Sequence, residues 1–224
     1  MPTHRRPRLG LRAILAAIAA ALLALTPLAG SPQTAAAASP LDGFEPGNLI
    51  SDEAFYNSSA MTRDGVTAFV ATIGAGCTAN SDGTPCLKDY RVATPAVAAT
   101  AYCTALAANP ANTGANIVAE VAAACGINPQ VLLVLIQRES SLLTRSGADL
   151  TPLIYSKATG AGCPDFTACS PNWATYFAQV YGAGERFRKY RAHPNSYQHQ
   201  AGSTEQIAQT YSQSDSRNAG RFAG

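Results

Sequence analysis

The 224-residue chain has no C-x-x-C pair, and two of its three histidines, His193 and His199, lie in a polar C-terminal stretch. No metal site is expected, because cysteine and histidine do not occur at ligand spacing. Beyond residue 38 no apolar run is long enough to cross a bilayer, so no integral membrane segment is expected there. Alternating apolar and polar stretches of useful length are missing, as is any internal repeat. Positive charge is not in excess either. The chain carries 16 basic and 14 acidic side chains, but Arg5, Arg6, Arg8 and Arg12 belong to the N-terminal segment, leaving 12 against 14. A nucleic-acid partner calls for a net basic surface and is not expected. No cofactor is implied.

What the chain does contain begins with a basic start, an apolar run from Leu11 to Leu28, and small residues ending in Ala36-Ala37-Ala38. This order describes a secretory signal peptide over residues 1–38. A transmembrane anchor is the competing reading, because the run is nearly long enough to span. The alanine-rich stretch with Pro27 and Pro32 favours cleavage. The exported remainder, 186 residues, suits one monomeric domain of ordinary size.

All six cysteines, Cys77, Cys86, Cys103, Cys125, Cys163 and Cys169, fall in this exported part. An even number in a secreted chain reads as disulfides, with about 15 connectivities open. Cys77–Cys86 and Cys163–Cys169 close the shortest loops, which leaves Cys103–Cys125 by elimination. That third bridge conflicts with a tight antiparallel pair of helices, which would separate the two cysteines along the axis.

The lead-in, residues 39–50, is turn-rich. Ser51 and Asp52 can cap a short helical turn through Phe55, and Thr62 can start a helix through Phe69 and Ile73 that Gly74 ends. Residues 77–91 read as a polar loop. Two alanine-rich helices follow, Pro95 to Ala107 and Gly114 to Cys125, the second closed by Gly126. The expected class is mainly α, with a helical domain over 39–192 and a polar, disordered tail over 193–224.

The chain reads as organised around the next helix, which starts at Asn128, a good N-cap, with Pro129 at the first helical position. Leu132, Leu135, Ile136 and Leu143 make an apolar stripe, and Glu139 falls on it. A carboxylate held partly dry there favours its protonated form, which a general acid near neutral pH requires. Pairing with Arg138 or Arg145 is the structural alternative. A long loop, residues 144–171, follows directly and is the natural wall of a cleft, with Asp149, Tyr155 and Asp165 its chemically interesting members. Then comes an amphipathic helix from about Asn172 to Tyr190, with an aromatic stripe of Trp173, Tyr176, Phe177, Tyr181 and Phe187. Such a stripe is core first, yet aromatic rings also stack on sugar faces, which makes Trp173 and Tyr176 candidate sugar contacts. Arg186, Arg188, Lys189 and Arg191 suit a helix C-terminus.

The segment Gly126-Ile-Asn-Pro-Gln-Val-Leu-Leu-Val-Leu-Ile-Gln-Arg-Glu-Ser-Ser resembles the catalytic helix of soluble lytic transglycosylases and goose-type lysozymes. Phe44-Glu-Pro-Gly-Asn, Phe55-Tyr-Asn-Ser-Ser-Ala-Met-Thr, Cys86-Leu-Lys-Asp-Tyr-Arg, Gly162-Cys-Pro-Asp and Gln179-Val-Tyr-Gly-Ala are similar to a group of secreted actinobacterial lysozyme-like proteins, often labelled haemagglutinin. The resemblance implies a lysozyme-like helical domain with disulfides that cleaves the β-1,4 bond between N-acetylmuramic acid and N-acetylglucosamine of peptidoglycan. It implies Glu139 as the catalytic acid, Ser140 as an orienting residue and Tyr155 as a stabiliser of developing charge. Two departures are visible: Ser141 stands where the transglycosylases carry glycine, and Ala158-Thr-Gly-Ala-Gly162 stands near their Gly-Leu-Met-Gln loop. The alternative implied by the haemagglutinin label is a non-catalytic protein that binds cell-wall carbohydrate.

Overall fold

A computed structural model describes residues 49–163 and 169–197. The signal peptide, the Phe44 segment, Asp165 and the tail from residue 198 lie outside the described residues. The described part is helix-rich, with two short strands and three disulfides. No helix among the described residues is long and apolar enough to cross a membrane.

Local chemistry sets most helix starts. In α1 (Asp52–Phe55) the Ser51 hydroxyl accepts from the Ala54 amide, and in α2 (Arg63–Ile73) Thr62 accepts from Gly65. Strands β1 (Arg91–Thr94) and β2 (Asn109–Thr113) pair antiparallel, with an irregularity between Val92 and Thr94. Helix α3 (Gly114–Cys125) is capped by Thr113 and closes on Gly126 in the left-handed region. Helix α4 (Pro129–Ser140) is capped by Asn128, whose side-chain amide also donates to the Ala54 carbonyl. Helices α5 (Pro152–Ser156) and α6 (Tyr176–Ala192) complete the set.

The packing centre is α3 rather than α4. Ala115, Ile117, Val118, Ala119, Val121, Ala122 and Cys125 are all buried, and α2, α4 and α6 pack against this one helix. Small side chains make the close approach possible. A methyl added at Gly184 on α6 would sit 2.9 Å from Val121 and 3.2 Å from the Cys125 sulfur.

Three expectations need correction. Residues 95–107 form no helix; they extend the hairpin into an arm closed by a bridge between Val97 and Leu106. The cysteine conflict disappears with that helix, since Cys103 lies in the arm's turn and bridges to the C-terminal end of α3, where Thr104 also donates to the Ala124 carbonyl. The long loop after α4 contains α5 and a 3-10 turn, Gly147–Asp149. The last helix begins at Tyr176, capped by Thr175, so Trp173 stands before it in a 3-10 turn. Alanine favours a helix in the arm by propensity, but the pairing of Val97 with Leu106 and the Cys103–Cys125 bridge override it. His193 and Tyr197 still make contacts, to Tyr102 and Tyr190.

Candidate functional site around Glu139

Glu139 occupies the last turn of α4. The buried side of that helix is Leu132, Leu133, Ile136 and Ser140, and Glu139 itself is exposed. The expectation that it lies half dry on the apolar stripe is therefore corrected. It is nearly in line with Leu132, but the buried face here runs through Ile136 and Ser140 on to Leu142, and Glu139 lies at its edge. Ser141 then turns the chain in the left-handed conformation, φ 58°. The Arg145 guanidinium reaches back and donates to the Ser140 carbonyl at 2.9 Å, so it caps the helix and does not pair with Glu139.

The neighbour of Glu139 is the segment Ala158–Gly162. A methyl placed on Gly160 would lie 3.5 Å from Glu139 Oε2, and Gly160 holds φ 69°. Ser140 staples this segment to the helix. Its hydroxyl is buried between the Ile136 carbonyl (2.8 Å) and the Ala158 carbonyl (3.1 Å). That position corrects its reading as a substrate contact: it positions the loop that Glu139 faces.

Gln179, unassigned by sequence reasoning, holds the other side of the same segment. It is fully buried, and both ends of its amide are satisfied. Its oxygen accepts from the Thr159 amide (3.2 Å) and the Ala161 amide (3.1 Å), and its nitrogen donates to the carbonyls of Ala161 and Trp173, both at 2.7 Å. The Thr159 hydroxyl adds a bond to the Gln179 carbonyl at 2.7 Å. One side chain thus fixes both the Glu139-facing loop and the Trp173 turn. The signal available beforehand was a glutamine in the middle of an aromatic stripe.

Trp173 is half-buried and lies flat on the backbone, since a methyl at either Gly162 or Gly182 would overlap its indole. Gly160 and Gly162 are two residues apart, at most about 7 Å of chain. Carboxylate and indole therefore flank one short loop. Trp173 also lines a groove of about 480 Å³ with Val92, Val97, Phe177 and Tyr181.

Two other candidates turn inward. Tyr155 is buried, donates to the Pro85 carbonyl at 2.6 Å and stacks on Tyr90 at 4.1 Å. Burial pushes its phenol well above the ordinary tyrosine range. Tyr176 is 1 % exposed, donates to the Gly114 carbonyl, and is raised by burial as well. Neither presents a face to a ligand. Asp149 is exposed in its turn. No group of three or more His, Cys, Asp or Glu side chains among the described residues could hold a metal ion.

No family model, curated protein or solved structure matches this chain.

One acid on a rigid element escaped sequence reasoning. Glu120 stands on α3, accepts from Asn112 Nδ2 (2.7 Å) and Asn116 Nδ2 (2.9 Å), and lies 3.5 Å from Arg63. It belongs to a separate groove, lined by the arm and α3.

Proposed function

We propose that the chain is a secreted, lysozyme-like protein that cleaves peptidoglycan at the N-acetylmuramic acid–β-1,4–N-acetylglucosamine bond, with Glu139 as its acid. The observation that carries this reading is the placement of Glu139. Its carboxylate stands at the end of a doubly capped helix, against a glycine loop clamped from both sides by Ser140 and Gln179. The resemblance supplies the second support. Lytic transglycosylases carry glycine after Glu-Ser, and Ser141 here adopts the left-handed backbone that glycine reaches freely. The three disulfides suit an oxidising, extracellular setting.

Glu139 protonates the oxygen leaving the anomeric carbon as the glycosidic bond breaks. The muramoyl 6-hydroxyl attacks that carbon, its proton passes to the Glu139 carboxylate, and the product is a 1,6-anhydro sugar. This scheme uses one carboxylate, whereas most glycosidases use two. Glu120 does not serve as the second, because Asn112, Asn116 and Arg63 engage it in another groove. Since solvent reaches Glu139 in the free protein, the glycan itself must cover the carboxylate and exclude water from it, with Trp173 as the ring on which a neighbouring sugar stacks.

A second reading, cell-wall carbohydrate binding without cleavage, is favoured by that same exposure together with the aromatic groove. Purified peptidoglycan incubated with the mature protein, with products identified by mass, separates the two. The enzyme reading expects anhydromuropeptides, reduced about 10²- to 10⁴-fold in Glu139→Gln. Wild-type protein that sediments with the wall and releases no soluble fragments would establish the binding reading instead.

A further inference from the structure

The three disulfides differ in what covers them. Cys103–Cys125 is buried at both ends, 3 % and 1 % exposed, and Cys77–Cys86 at one, with Cys86 at 2 %. Cys163 and Cys169 are both partly exposed, so theirs is the one bond with neither half in the core. It also closes the shortest loop, a separation of 6 residues against 9 and 22. A short loop limits the unfolded chain least, so opening this bond removes the least stability of the three in the chain-entropy account.

Its place ties it to the site. Cys163 follows directly on the segment that Glu139 faces, and its amide donates to the Gly160 carbonyl at 3.2 Å. Cys169 precedes Ser170, whose amide donates to the Gly162 carbonyl (3.0 Å) and whose carbonyl accepts from the Trp173 amide (2.8 Å). The disulfide thus joins the Glu139-facing loop to the turn that carries the indole. Without it, what holds the two together is the Ser170–Gly162 bond, the Gln179 amide and the packing of the indole on Gly162. Sulfur chemistry favours the same bond. Attack by a thiolate on either of its sulfurs expels a cysteine that solvent partly reaches. Attack on Cys77 would expel Cys86 into apolar surroundings, which disfavour a thiolate and make it a slow leaving group. Once protonated, the Cys163 thiol has the Ala161 carbonyl as an acceptor at 3.5 Å.

We propose that Cys163–Cys169 is a thiol-exchange site that controls the site around Glu139. A small thiol opens it while the other two disulfides and the fold persist, and the open form holds the Glu139-facing loop and the Trp173 turn less firmly. In the first step a thiolate attacks one sulfur, forms a mixed disulfide with it and releases the other cysteine. A second thiol then removes the bound thiol as a small-molecule disulfide. Two thiols are oxidised, the protein bond takes up two electrons and two protons, and both cysteines end as thiols. The consequence for glycan rests on the function proposed above; the exchange itself does not.

The test treats the folded mature protein with reduced glutathione, traps free thiols with iodoacetamide at intervals and locates them by peptide mass. Cys163 and Cys169 should be labelled at least about tenfold faster than the other four cysteines, since access and leaving group act together. At that stage the helical circular dichroism should be kept, and the emission of the single tryptophan should shift to the red. Sedimentation with purified peptidoglycan should weaken, and should return on reoxidation with oxidised glutathione. The double variant Cys163→Ser, Cys169→Ser should show the shifted emission without any thiol and respond no further to one. Labelling of Cys77 and Cys86 at the same rate, loss of helix with the first labels, emission unchanged by opening, or equal wall binding by the open and closed forms would overturn the proposal. A protein that engages the wall in neither form would sink the proposed function, and labelling and emission would still decide the exchange site.

Discussion

Gln179 shows how one side chain can carry a site without touching a ligand. A primary amide has two donors and two acceptor positions, and here each finds a backbone partner in a fully buried setting. Removing it strands the Thr159 and Ala161 amides and the Trp173 carbonyl, and a buried group left unpaired costs more than a bond formed returns. Gln179→Ala is expected to lose about 2–4 kcal/mol of stability, read from urea denaturation at constant m-value. The chain has a single tryptophan, so its emission reports the same event. Release of the Trp173 turn should shift it to the red while the helical circular dichroism is kept. If the emission is unchanged, the Trp173 turn does not depend on this amide. Ser140 plays the smaller part on the opposite side, joining the end of α4 to Ala158.

The helices were legible in the chain where caps set them. Ser51, Thr62, Asn128 with Pro129, and Gly126 act through bonds to residues two to four positions away, so the local sequence contains the cause. The arm was not legible, because its cause is distant: Cys103 is held by Cys125, and the buried Asn112 donates to Thr94 across the hairpin and to Glu120 on α3. The same distinction runs through the site. The place of Glu139 on a capped helix could be read, but not that the buried face passes through Ile136 and Ser140 and leaves Glu139 at its edge. Tyr155 and Tyr176 looked like wall and platform because aromatic side chains serve either purpose. What turned them inward is the joint between elements, where Tyr90 before β1, Tyr155 on α5 and Tyr176 at the start of α6 meet ring against ring. Burial raises all three phenols above their ordinary value. A raised native value stabilises the fold fully below the unfolded tyrosine pKa, about 10, and that contribution is lost as pH climbs beyond it. Stability should accordingly be flat from neutrality to about pH 10 and then fall by up to about 1.4 kcal/mol per pH unit for each phenol still protonated. Tyr155→Phe and Tyr90→Phe should each make that fall shallower. Urea midpoints measured across pH 8–11.5 test it, and an unchanged slope in both variants would place the alkaline transition elsewhere.

At the scale of the molecule, the helix at the packing centre buries mostly small side chains, alanines beside Ile117, Val118 and Val121, and each contributes less apolar area than a large one. Disulfides offset this by limiting the unfolded chain. Closing the 22-residue separation between Cys103 and Cys125 corresponds to about 3 kcal/mol, and the separation of 6 between Cys163 and Cys169 to about 2 kcal/mol, in the chain-entropy account. The difference in place matters more than this difference in length. Cys163–Cys169 closes a loop on itself, while Cys103–Cys125 fastens the arm to the packing centre, with Cys125 lying 3.2 Å from the position a Gly184 methyl would take. Replacing Cys103 and Cys125 by alanine should lower the midpoint of thermal unfolding by roughly 10 °C, from about 3 kcal/mol at 2–4 °C per kcal/mol. It should also release the arm, so that amide exchange quickens at Val97 and Leu106 before the rest of the protein opens. Replacing Cys163 and Cys169 should lower the midpoint less and leave the arm protected. Because Val97 of the arm lines the groove that Trp173 shares, the first variant should weaken glycan binding as well. Unchanged glycan binding in that variant would show that the arm keeps its place without the bridge, and that the core alone positions it.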